Sequence, residues 1–136
     1  MSSFCSEPPS QLLLRGIHQL NQGKFFEQHE TLEKLWLLEK RSGRRLYQGI
    51  LQIGIAAYQI KRLNHHGAVH MLTRGTGYLR PFAPICQSID VSNLLIQSER
   101  ILQEVHSLGP QGLAEFNWSL TPTVRFVGLT DSSYPL

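Results

Sequence analysis

Residues 46–60, LYQGILQIGIAAYQI, are the most constraining stretch of the chain. At 3.6 residues per turn their apolar side chains fall on nearly every side of a helix, the mark of an element buried on most of its circumference. A helix like this has to be wrapped by others, so the pattern predicts an all-α array with this segment at its centre. Glutamines and a tyrosine interrupt the run well before the roughly 18 apolar residues of a bilayer span, so no membrane partner is expected. With 136 residues, 41% of them hydrophobic and 17% charged, the chain suits a single folded core better than a disordered or multidomain protein.

The punctuation divides the chain into five helices. Ser10, after Pro8 and Pro9, is an N-cap for a first helix that stops at Gly23. A second runs from near Lys24 to about Lys40, with Gly43 as its stop, and the central helix spans Arg44 to about Leu63. Asn64 to Gly67 turns into a fourth, ended by Pro81 and Pro84 and weakened in its last turns by Gly75 and Gly77. Asp90 caps a fifth, from Val91 to about Leu108, closed by Gly109 and Pro110. The expected organisation is a flexible start over 1–9, a helical domain over 10–108, and a tail over 109–136 that packs on the domain or is partly ordered. Within that tail TVRFVGL suits a short strand or a segment lying on the bundle, with Trp118 as an anchor. MSSFCSEPPS has neither a basic nor an apolar leader segment, and Cys5 and Cys86 lack metal-binding spacing, which fits a reducing cytoplasm.

Residues 25–36, FFEQHETLEKLW, hold the candidate site. On a helical wheel Phe25, Phe26, Leu32, Trp36 and Leu37 form a broad apolar stripe with His29 and Glu33 inside it, one turn apart, while Glu27, Thr31 and Lys34 point to water. A carboxylate on an apolar face costs several kcal/mol unless it is met by a cation, donors or a metal. Three explanations compete: a structural polar network, a divalent-metal site, and a general base with its orienting carboxylate. The reading carried forward is zinc, manganese or iron held by His29 and Glu33, with water and one or more of Glu30, Gln48 and Gln52, and metal-assisted hydrolysis as the chemistry. Arg45, Gln48, Gln52 and Gln59 form a polar stripe on the central helix that either faces this pair or faces solvent. Glu30 also stands four before Lys34, the spacing of a surface ion pair. His66 and His70 share that spacing but lack a carboxylate beside them.

Charge is uneven. Residues 40–80 carry eight basic groups and no acidic one, against three basic and five acidic in 1–39. The alternative function is therefore a non-enzymatic module that meets an anionic partner through Arg41, Arg44 and Arg45, the His/Glu pair then being a buried structural network. The sequence shows no interleaving of aromatic and basic residues, so nucleic acid is not favoured. A homodimer would bury any leftover apolar stripe against a second copy.

GKFFEQHETLEKLW, YQGILQIGIAAYQ and NHHGAVHMLTRGTGYL, in that order, resemble the small all-helical family known as domain of unknown function 309, over about residues 17–105. The family's pattern of His, three residues, Glu, two residues and an aromatic is matched by His29, Glu33 and Trp36, and Phe26, Glu30, Gln48, Gln52 and Gly67 are further matching positions. The resemblance implies a compact array of about five helices, a metal site at the motif, and no assigned substrate.

Overall fold

The computed structural model describes residues 2–128, and it is helical as expected. The elements are α1 (Ser2–Ser6), α2 (Gln11–Asn21), α3 (Phe25–Leu38), α4 (Arg44–Lys61), α5 (His65–Leu79) and α6 (Val91–Gly112). Two short strands, β1 (Ile85–Cys86) and β2 (Ile89–Asp90), pair antiparallel between α5 and α6. The caps behave as their chemistry dictates. Ser10, Asn64 and Asp90 accept through their side chains from the backbone N–H of Leu13, Gly67 and Asn93. Gly109 adopts φ 69°, which breaks the helix proper just before Pro110, although one more turn follows to Gly112.

α4 lies at the centre, packed on α3 and α5, while α2 covers α3 and α6 covers α5. Leu46, Ile50 and Ile53 of α4 are fully buried with Leu13, Ile17, Leu32, Leu72, Leu79 and Leu94 around them. The approach of α4 to α5 is close because both sides are glycine. A Cβ at Gly49 would sit 2.8 Å from Leu79 and 3.1 Å from the Gly75 carbonyl, so Gly75 serves packing at its cost in helix propensity.

The ends of the chain depart from expectation. Residues 2–6, expected to be flexible, form α1, because Phe4 finds a buried seat against the rings of Tyr47 and Phe82. Cys5 is disulfide-bonded to Cys86, joining α1 to β1. Gln87 is buried in the hairpin turn. It accepts from the Tyr47 hydroxyl at 2.8 Å and donates to the Phe4 carbonyl at 3.1 Å. Burial pushes the Tyr47 phenol up to about 12. In the tail, Phe126 bridges to Ile89, Arg125 pairs with Asp90 at 2.6 Å, and Asn21 brackets Val124 with two hydrogen bonds. The segment TVRFVGL thus lies on the bundle and touches the hairpin through a single bridge without forming a strand; its last residue, Leu129, lies outside the described residues. Among the described residues no helix is long and apolar enough to cross a membrane.

Candidate functional site

The local geometry of α3 decides what the site is. Its buried residues are Phe25, Gln28, Leu32 and Leu35, a repeat of three and four that keeps one stripe against α2 and α4. The expected stripe is rotated away from this one. Phe26 and Leu37 are each 53% exposed, and Leu38 is 63% exposed. Trp36 is half-buried, with Arg44 lying 4.4 Å over its ring.

That rotation moves the motif pair. His29 sits at the edge of the stripe, its side chain 32% exposed, and Glu33 lies outside it at 49%. The inward-facing carboxylate expected from the sequence is therefore an outward one, and its burial penalty does not arise. The two side chains still meet: Nε2 of His29 is 3.3 Å from Oε2 of Glu33. His29 lines a crevice of about 190 Å³ with Phe25, Phe26, Ile55, Tyr58 and Gln59. Glu33 lines a second, open groove of about 440 Å³ with Glu30, Lys34, Leu37 and Leu38. The pair thus has one member in each depression.

α3 and α4 run antiparallel, since Phe26, Gln28 and Trp36 meet Tyr58, Leu51 and Arg44 in turn. Of the polar stripe on α4, Gln59 reaches the His29 crevice. Gln48 is half-buried and accepts from Arg45 Nη1 at 2.6 Å. Gln52 is buried, and its amide oxygen has no hydrogen-bond partner. Glu30 and Lys34 form no ion pair with each other among the described residues. The rings of His66 and His70 stack 6.4 Å apart. No group of three or more His, Cys, Asp or Glu side chains able to hold a metal occurs among the described residues.

The basic segment is largely engaged. Arg41 bridges Glu7 and Glu39, and its guanidinium holds both carboxyls below their usual range. Arg45 and Arg74 both lie over Tyr78, at 5.0 and 5.7 Å, and Arg62 lies over Tyr58. Arg74–Tyr78 and Arg62–Tyr58 have the four-residue spacing of helix neighbours, whereas Arg45 on Tyr78 and Arg44 on Trp36 join different helices and have no local signal.

The wheel of α3 misses its most consequential residue. Gln28 is fully buried, donates from Nε2 to the Leu51 carbonyl at 3.2 Å, and occupies the space left by the missing side chain of Gly54. Its signal lay in spacing, three after Phe25 and four before Leu32, but a polar residue is not looked for there.

These features define an all-helical protein in which a motif-bearing helix is clamped to a central glycine-containing one. Residues 13–71, from α2 into α5, match the family model described as domain of unknown function (DUF309). No curated protein matches the chain.

Proposed function

We propose that the outer side of α3, where it borders α4, is a binding site that works with a divalent ion, zinc, manganese or iron, taken by His29 and Glu33. What supports the reading is the bite of the pair. An ion ~2.1 Å from an imidazole nitrogen and a carboxylate oxygen, at a tetrahedral angle, holds them about 3.4 Å apart, and the separation here is 3.3 Å. Water fills the remaining positions. Of the supplementary donors, Glu30 shares the groove with Glu33, Gln52 has an amide oxygen to spare, and Gln48 is held by Arg45. The apolar crevice beside His29 suits a ligand with an anionic end for the ion and a hydrophobic end for Phe25, Phe26, Ile55 and Tyr58. A bound ion would supply Lewis-acid activation of water, the basis of metal-assisted hydrolysis. The reducing cytoplasm expected from Cys5 and Cys86 loses its support, because the two are disulfide-bonded and such bonds persist in oxidising surroundings.

The test is calorimetric titration of untagged protein with Zn²⁺ and Mn²⁺, beside His29→Ala and Glu33→Gln. The expectation is one equivalent bound by the wild type and at least about tenfold weaker binding in each variant. Equal binding in all three, or none in any, overturns it.

A second reading has its own observation. Arg45 and Arg74 converge on Tyr78 with no carboxylate partner among the described residues, next to Arg44 on Trp36. If an anionic partner docks on Arg44, Arg45 and Arg74, with Arg41 already taken up by Glu7 and Glu39, the protein should be retained on heparin and released steeply by salt. Reversing Arg44 and Arg45 without change in retention would refute it.

A further inference from the structure

α3 carries more apolar surface than the core takes up. Phe25, Leu32 and Leu35 are inside, yet Phe26, Leu37 and Leu38 stand at least half exposed on its other side. Along that side Phe26, Glu30, Lys34 and Leu38 follow one another at intervals of four, forming a single ridge of the helix surface. The ridge reads apolar, acidic, basic, apolar. In reverse it reads apolar, basic, acidic, apolar, so it is complementary to itself when two copies run antiparallel.

The charges of the ridge are free for this. Glu30 and Lys34 have the spacing of an ordinary intrahelical pair, but neither makes an ion pair among the described residues. Both line the open groove of about 440 Å³ together with Glu33, Leu37 and Leu38, a depression that accepts a second ridge.

We propose that a second copy of this chain docks on this face, α3 against α3, antiparallel about a twofold axis at the level of Leu32. Phe26 of one copy then faces Leu38 of the other, and Glu30 faces Lys34, each contact made twice by symmetry. A parallel pairing is disfavoured because it stacks Glu30 on Glu30. One helix of 14 residues per copy covers less than the roughly 800 Å² per partner of a standard interface. The dimer is accordingly concentration-dependent. This inference goes beyond the ion site and does not rest on it.

Sedimentation equilibrium of the full chain in EDTA, from about 1 to about 500 μM, tests it without interference from bound ions. The wild type should dimerise across that range. Lys34→Glu and Glu30→Lys, which set like charges against each other twice, should each weaken association about tenfold or more, and the double swap should restore it. Circular dichroism confirms folding, and all the altered side chains are exposed. A wild type that stays monomeric, single swaps that leave association within about threefold, or a double swap that fails to restore it would each overturn the proposal.

Discussion

Gly54→Ala is the sharpest probe of how α3 is held. The amide of Gln28 lies in the space above Gly54, and a Cβ there would be 2.5 Å from Gln28 Cδ and 2.9 Å from its Oε1. Ordinary contact between such atoms is about 3.5–4.0 Å, so the amide has to retreat by about 1 Å. Retreat pulls Nε2 off the Leu51 carbonyl, 3.2 Å away in the wild type, and leaves a fully buried amide with neither of its groups satisfied. Overpacking of this kind costs about 1–3 kcal/mol, and stranding the buried donor costs about 1–3 kcal/mol more. Exchanging glycine for alanine inside a helix returns about 1 kcal/mol. The net expectation is a loss of roughly 3 kcal/mol, within a range of about 1–5. Guanidinium unfolding followed by far-ultraviolet circular dichroism measures it. Gln28→Ala alone should also destabilise, by opening a cavity, but in the double variant the new methyl enters that cavity. The double loss should therefore fall short of the sum of the single losses by about 0.5–3 kcal/mol. Gly54→Ala matching or exceeding wild-type stability, or strict additivity in the cycle, would refute the clamp.

Three other outcomes follow from the same contacts. Cys5→Ser opens a covalent link between residues 81 positions apart and should cost about 2–5 kcal/mol; reductant should lower the wild-type melting temperature and leave that of the variant unchanged. Arg125, and then the Asn93 N–H, hold the Asp90 carboxyl below its usual range, so their stabilisation exists above the ordinary carboxylate value and is lost as pH falls through the depressed one. The stability difference between wild type and Arg125→Gln, followed by urea denaturation, should thus be steady above about pH 5 and shrink toward zero on acidification; a difference that grows in acid contradicts the assignment. Because Glu33 is half exposed, Glu33→Gln should change stability by less than about 0.5 kcal/mol, and a loss above about 2 kcal/mol would mean a buried network after all.

The helices were legible wherever their signals are local. Ser10, Asn64 and Asp90 act on amides three residues ahead, and Gly109 bends the backbone at its own position, so each could be read from its neighbours. What was not legible depends on distant residues. The hairpin at 85–90 turns on Gln87 and Ser88, with φ of 48° and 64°, where a sequence reading looks for Asn-Gly. Its turn is held instead by bonds from Gln87 to Phe4 and Cys5 and from the Tyr47 hydroxyl, all far away in sequence. The phase of α3 is hidden from the sequence for a physical reason. Phe26, Leu37 and Leu38 weigh as much on a wheel as Phe25, Leu32 and Leu35, and nothing local says which set α2 and α4 will cover. The polar Gln28 then tips the wheel the wrong way.

The same glutamine explains why the motif pair sits where it does. Sliding α3 along α4 by one helical turn would bring the Gln28 amide against Ile50 or Tyr58, each of which has a side chain where Gly54 has none. The observed register leaves room for the amide and supplies the Leu51 carbonyl. A buried polar contact with one acceptable setting contributes specificity more than strength, since its oxygen goes unpaired even in the native arrangement. His29 is the next residue, so fixing Gln28 fixes His29 beside Ile55, Tyr58 and Gln59. Glu33 follows one turn later on the free side. The clamp therefore separates two tasks on one helix: its buried side sets position, and its open side is left to the ion site and to a second copy. Loosening the clamp should disturb the binding of both.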